Sequence, residues 1–457
     1  MTACGERSGV ARRPSGGSRA VRAEAHRPGD GRIGDVTDAD SSSERRAPGK
    51  HVGWVELYFD LVFVFAVGQV AHGMVADPRW ARVAAALGLF ATLWWTWIGF
   101  AVLYNRRGDD SRAADRLFVL AGTIPCAIAA TQAHRVFDGH PAGFAAAMAG
   151  VRVILAAAHR WPARAGLDQS RISWGYAVSA VLFGVSAVVP HAGAVWALAL
   201  LQEAGFLLLG DRPPRRRGER PTRAARWRTL LAPPRDPNLA VDSAHLAERF
   251  GLFMILLLGE LVITVGTAAL ARPADDFAYW AALAGGLVMA GALWWLYFSS
   301  AARFSERMLG LSGGNPALAY SLYAGGHLFP AFALLLIAAG LNLSLHESPP
   351  QAAAWFTTAG LTLYLAGTRV FSTGPGKRWY GGVARVGALA ATVCLAFLGR
   401  VLPAPAVVVV IAAWAVAVAA TAVAAGIRHR ALERLGDDPV AFLRTLQEDR
   451  GPARRRE

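Results

Sequence analysis

The sequence predicts an all-α fold, a polytopic transmembrane helix bundle of about twelve spans, and three observations predict it. Of 457 residues, 54% are hydrophobic and 17% are charged, and the mean hydropathy is +0.33. That balance is too apolar for a water-soluble chain of this length. Apolar runs of about 20 residues, the length that crosses a hydrocarbon core of about 30 Å, recur along most of the chain. None alternates with the period of two that a membrane β-strand shows, and a span must satisfy its own backbone amides, so helices remain.

In chain order, residues 1–50 are rich in Gly, Ser, Arg and Asp and nearly lack aliphatic side chains. They are expected to form a disordered cytoplasmic tail. No short apolar segment with a small-residue cleavage site precedes the first run, so that run is expected to be retained. Helices are expected at 54–76, 80–104, 117–134, 142–159, 172–190, 192–210, 246–270, 279–301, 318–341, 353–372, 383–402 and 406–426. The first six form a membrane half within 51–210. A basic, Pro-rich cytoplasmic linker follows at 211–245, then a second six-helix half at 246–426 and a basic cytoplasmic tail at 427–457. In that tail Asp438 and Pro439 suit the N-cap and first turn of a short helix.

Charge sets the count. With residue 50 in the cytoplasm, the loops on that side hold twenty Lys and Arg, among them Arg106, Arg107, Arg112 and Arg116, whereas the opposite loops hold four, Arg79, Arg135, Arg272 and Arg400. Twelve spans in the inner membrane, with both ends inside, obey the positive-inside rule. An odd number would place the Arg-rich tail outside. The same placement accounts for the formal charge of +15 without nucleic acid as a partner. Arg215, Arg216 and Arg217 belong either to a solvated linker that only fixes topology or to a segment that meets anionic lipid headgroups. Cys4, Cys126 and Cys394 are too scattered for a disulfide framework.

Short matches between the halves suggest a repeat. Val55-Glu56-Leu57 aligns with Ala247-Glu248-Arg249 at an offset of 192, and Leu93-Trp94-Trp95 with Leu293-Trp294-Trp295 at 200. An even number of spans per half makes the two halves parallel.

The informative outliers are ionisable residues inside spans, since a charge at mid-bilayer costs about 2.5 to 3.5 kcal/mol even on the mildest scale. Glu56 and Asp60 share a stripe on the first helix, with Gln69 and His72 further along on another face. That helix is expected to be packed inside the bundle. Glu248 and Arg249 open the seventh helix and Glu260 lies about 16 Å deeper than Arg249, too far for a direct bond. Arg152 on the fourth helix is expected to neutralise either Glu203 on the sixth or Glu260. His327 on the ninth shares a face with Tyr320 and Tyr323 and precedes Pro330. This set serves either a buried structural network or a proton and substrate pathway. The chain carries no Walker lysine motif, HExxH, CxxC or GxSxG, so no cofactor, metal or catalytic residue is expected.

Trp54-Val55-Glu56-Leu57-Tyr58-Phe59-Asp60-Leu61-Val62-Phe63-Val64-Phe65, and Ala247-Glu248-Arg249-Phe250-Gly251-Leu252-Phe253 with Leu258-Gly259-Glu260, resemble the two hallmark segments of the bacterial low-temperature requirement A family. Trp294-Trp295-Leu296-Tyr297-Phe298 and the His327 helix resemble its later segments. The resemblance implies a multi-pass membrane protein associated with growth in the cold and maps family motif positions onto Glu56, Asp60, Glu248, Arg249, Glu260 and His327. It brings no biochemical activity with it. This chain departs from the pattern at Leu261, where a Ser is usual, and at Pro330, one place later than the usual proline.

The function expected first is movement of a small solute or ion, with Glu260 reversibly protonated. A membrane-embedded enzyme acting on lipid, with His72 or His327 as base and Asp60 orienting it, is the competing class. A sensor or scaffold without turnover is the third, and it predicts no continuous polar cavity.

Overall fold

The computed structural model describes residues 51–160, 170–209, 230–234, 239–271, 277–368 and 378–424. Both tails, Cys4, Arg215–Arg217, most of the linker and the Asp438–Pro439 pair lie outside the described residues. Among the described residues every regular element is helical, as expected. The long helices are α1 Trp54–Ala76, α2 Trp80–Arg107, α3 Ala113–Phe137, α4 Ala142–Arg160, α5 Ser170–Ser186, α6 Ala192–Leu209, α7 Ser243–Ala271 and α8 Phe277–Leu296. After α8 a π-helical turn, Tyr297–Ala301, leads into a short helix, α9 Ala302–Leu311, that was not among the twelve expected. Then come α10 Pro316–Ser344, α11 Ala352–Thr368, α12 Arg378–Leu395 and α13 Ala404–Ala424. Within α10 the residues Tyr320–Gly325 are wound as a π-helix. Nine of these helices are long and apolar enough to cross a membrane, while α5 and α11 have 17 residues each.

Helix ends differ from the apolar runs for a local reason. α2 continues to Arg107 and α3 begins at Ala113, because the helical hydrogen-bond ladder runs on past the hydrocarbon-length segment into the polar turn. α10 starts where Asn315 accepts hydrogen bonds from the Ala317 and Leu318 amides and Pro316 occupies the first turn. Between α1 and α2, Asp77 accepts from Arg79 and Arg82 at 2.6–3.1 Å, and Arg82 also donates to the Phe137 carbonyl at the end of α3. The hydrogen bonds from Arg79 and then Arg82 hold the Asp77 carboxyl down from 3.8 to about 2.

Paired contacts at two levels give each helix its direction. Glu56 meets His245 and Arg249, and further along Gly68 meets Glu260, so α1 and α7 run parallel. α2 and α4 are parallel, from Thr96 with Arg152 to Arg107 with the His159 carbonyl. α5 runs against α4 through Ser173 with Ala156 and Phe183 with Arg152, and α6 runs against α5 through Gln202 with Gly175 and Trp196 with Ser186. α8 is antiparallel to α7, α10 parallel to it, and α11 antiparallel to α10. This up-and-down order is what consecutive crossings require, and α9 stands outside it. α1, α2, α7 and α10 pack together at the centre.

Small residues set the closest approaches. A Cβ on Gly340 would meet the Thr357 backbone nitrogen at 2.5 Å, and one on Gly360 the Ala333 carbonyl and Ile337 nitrogen at 2.9 Å, so α10 and α11 touch backbone to backbone. Tyr58, Leu61 and Phe65 form an exposed stripe on α1. α1 is therefore not surrounded on all sides, contrary to the expectation for it. His72 falls two turns beyond Phe65 on that same stripe and is exposed.

The residues of the proposed repeat occupy unlike settings. Glu56 and Trp94 are buried, whereas Glu248 and Trp294 are exposed.

Candidate functional site

Glu56 and Asp60 lie one helical turn apart on α1, and His245 and Arg249 lie one turn apart on α7. Parallel packing lets the acidic pair face the basic pair, all four with 0% exposure. Glu56 Oε1 pairs with Arg249 Nη1, and Oε2 accepts from His245 Nε2 at 3.0 Å and from the Gly53 amide at 3.1 Å. The last bond is the acidic half of a capping box at the start of α1. Arg249 Nη2 donates to Asp60 Oδ1 at 3.1 Å, and Trp97 Nε1 from α2 donates to the same oxygen at 2.6 Å. The Trp97 ring also lies 5.6 Å from the guanidinium, a cation–π distance. Asn105, two turns along α2, holds His245 Nδ1 at 2.9 Å and both backbone groups of Asp242.

Arg152 takes Glu203, not Glu260. Its Nε donates to Glu203 Oε1 at 3.1 Å, its Nη1 to Thr96, and its guanidinium lies 4.5 Å from the Phe183 ring. This pair ties α4 to α6 and α2, with Arg152 Nη2 and Glu203 Oε2 buried and without a hydrogen-bond partner among the described residues.

Glu260 stands in a different setting. It is half-buried near the middle of α7, its Oε1 accepts from Thr264 Oγ1 at 3.3 Å, and no cation pairs with it among the described residues. The hydroxyl missing at Leu261 is thus supplied one turn later. Gly68 makes room for this carboxylate, since a Cβ there would lie 2.7 Å from Oε1. Asn342 of α10 donates to the Thr264 carbonyl at 3.3 Å, and Gln69 beside Gly68 is half-buried. A polar seam of Glu260, Thr264 and Asn342 therefore lies where α7 meets α1 and the last turn of α10.

His327 is buried in an aromatic box. Its Nδ1 lies 3.0 Å from the Leu322 carbonyl and its Nε2 3.0 Å from the Tyr297 hydroxyl, with Tyr323 stacked on the ring. Tyr320 packs instead against Trp95, because the π-turn rotates it away from the helical spacing shared on paper. Glu248 is exposed and accepts from the Val52 amide at 3.3 Å, with His51 at 3.6 Å.

The structure therefore unites Glu56, Asp60 and Arg249, pairs Arg152 with Glu203, and leaves Glu260, His327 and Glu248 separate from these. His72 does not approach Asp60, so the His72–Asp60 arrangement of a lipid-modifying site does not form. His327 has a phenol and a carbonyl, not a carboxylate, as partners. Trp97, Asn105 and Thr264 were missed. The i, i+4 relation of His245 to Arg249, the same as that of Glu56 to Asp60, was the signal for the basic pair. A small recess, of about 10 Å³, opens between α2, α4, α5 and α10, lined by Gly99, Arg106, Arg107, His159, Ile172 and Tyr320.

The model of the bacterial low temperature requirement A protein family matches residues 51–425. An uncharacterized protein of Rhizobium meliloti (strain 1021) is 28% identical over 328 residues, covering 68% of this chain and 75% of the relative. No solved structure matches.

Proposed function

We propose that this chain, which belongs to the bacterial low temperature requirement A family, moves a small solute or ion across the inner membrane with a proton as the coupling species. The observation that carries this reading is the contrast between its membrane carboxylates. Glu203 is held by Arg152 and Glu56 by Arg249, and such pairs stabilise helix packing without needing to change state, while Asp60 shares Arg249 with Glu56. Glu260 meets only a hydroxyl, at mid-helix, half-exposed and against a glycine. An intramembrane carboxylate without a cation is the kind of group that carries protons in pumps and transporters.

In this reading the twelve long helices cross the membrane, both termini are cytoplasmic, and the halves 51–210 and 246–426 move about the α1–α7 contact. The linker at 211–245 keeps Arg215–Arg217 at the anionic headgroups. The parallel course of α1 and α7 supports an odd number of crossings between them, the five helices α2–α6.

The test is solute-driven proton current in proteoliposomes, screened with amino acids, sugars, organic acids and monovalent cations. A solute that drives current through the wild type and none through a folded Glu260→Gln protein supports the reading. An unchanged current in Glu260→Gln removes Glu260 from the mechanism, and no current with any of these solutes removes the carrier.

A further inference from the structure

The α1–α7 cluster can be counted proton by proton. Asn105 Oδ1 accepts from the Asp242 amide at 3.0 Å and its Nδ2 donates to the Asp242 carbonyl at 2.9 Å, so the orientation of this side-chain amide is set by the backbone. The second hydrogen on Nδ2 then points at His245 Nδ1, 2.9 Å away. Nδ1 is the acceptor, so the ring hydrogen sits on Nε2 and is donated to Glu56 Oε2. His245 is held neutral.

Glu56 uses both oxygens against three donors, the arrangement of an ionised carboxylate balanced by Arg249. Asp60 is asymmetric. Its Oδ1 receives Trp97 and Arg249, whereas Oδ2 is buried with no hydrogen-bond partner among the described residues. With Asp60 ionised the cluster would hold two negative charges and one positive at 0% exposure, and a bare anionic oxygen would lack any donor. A buried uncompensated charge costs more than a buried neutral hydroxyl.

Among the described residues no further cation pairs with Asp60, and Arg152, the buried cation that reaches α2 at Thr96, is taken by Glu203. α2 presents Trp97 and Asn105. On α3 the buried titratable group is Cys126. On α10 they are Tyr320, Tyr323 and His327, the last two lying against Phe250 at 4.8 and 5.1 Å with the His327 nitrogens both engaged.

We infer that Asp60 holds an exchangeable proton on Oδ2, which makes the α1–α7 cluster neutral and forms a second proton site on the same helix pair as Glu260. Its release leaves Asp60 and Glu56 sharing Arg249 and the cluster at a net charge of −1. The site lies about 12 Å along α1 from Gly68, where Glu260 packs. Its part in coupling rests on the carrier reading above; its occupancy does not.

Infrared spectra of the full-length protein in lipid vesicles at pH 7 test the occupancy, comparing the wild type with Asp60→Asn, Glu260→Gln and Glu56→Gln. The expected result is a protonated-carboxyl C=O band that shifts in D2O, loses intensity in Asp60→Asn and keeps the Asp60 contribution in Glu260→Gln. Asp60→Asn, an isostere of the protonated acid, is expected to melt close to the wild type, and Glu56→Gln clearly below it. An unchanged band in a folded Asp60→Asn protein overturns the inference. So does an Asp60→Asn protein that fails to fold, since that outcome requires the ionised form. The band is read without any solute, so a failed current screen and a failed proton assignment are separate results.

Discussion

Arg249 on α7 and Glu56 on α1 are paired at zero exposure although 193 residues separate them. The pair joins the first and seventh helices side by side in the same direction, and it stands where two short hallmark segments of the sequence converge. Loss of one partner leaves the other charge buried and unbalanced. Glu56→Gln and Arg249→Leu are each expected to lower stability by about 3–5 kcal/mol, with the double variant costing less than the sum of the two. Unfolding in detergent, read as a double-mutant cycle, checks this. Strict additivity would mean that the two side chains do not interact.

Contact between α10 and α11 depends on backbone approach. Gly340→Ala places a methyl group against the Thr357 nitrogen and the Ala353 carbonyl, atoms that cannot rotate away, and is expected to cost about 1–3 kcal/mol. Gly259→Ala on α7 meets nothing within 4 Å and is expected to be neutral or slightly stabilising. Melting temperatures of the two variants, measured side by side, decide it. Equal shifts would remove the packing argument.

Asp77 gives a pH dependence outside the spans. Its carboxyl is held down to about 2 by Arg79 and Arg82, so its contribution is present above the unfolded value of about 4 and is lost as pH falls through 2. Asp77→Asn is expected to melt lower than the wild type at pH 7, with the gap closing as pH approaches 2. A gap that does not change with pH would assign the effect to something other than the carboxylate charge.

The bundle was legible in the sequence because run length and backbone chemistry leave few alternatives in lipid. Among the described residues a helix stands at each of the twelve expected places, nine of them long and apolar enough to cross a membrane. α9 was not expected because it is a short segment of low hydrophobicity, beneath notice when only hydrocarbon-length runs are sought. The Glu56–Asp60 stripe was readable from i, i+4 spacing, whereas its partners were only half readable, since Trp97 and Asn105 come from a third helix whose rotation no periodicity reports. Arg152 had two possible acids on paper, and only tertiary packing chose Glu203. His72 was misplaced although its spacing from Phe65 already put it on an apolar stripe. Tyr320 left the face it shared with His327 because the winding of α10 changes within that segment, which a fixed period of 3.6 does not anticipate.

Gly68 is the counterpart of Glu260 on α1. Gly68→Leu is expected to push the Glu260 carboxylate from the seam while Thr264 swings with it, leaving a folded protein without solute-driven proton current. Because the nearest atoms are the end of a flexible side chain, the loss of stability is expected to stay below that of Gly340→Leu. Retained current in folded Gly68→Leu would detach this contact from function.

Water access at Glu260 tests the central claim most directly. With Cys4, Cys126 and Cys394 replaced, Glu260→Cys in right-side-out and inverted vesicles is treated with a membrane-impermeant thiol reagent, beside Ile263→Cys on the exposed face of the same helix. Labelling is expected at position 260 from at least one side and none at 263. Absence of labelling at 260 from both sides, in protein that is folded and inserted, would contradict it.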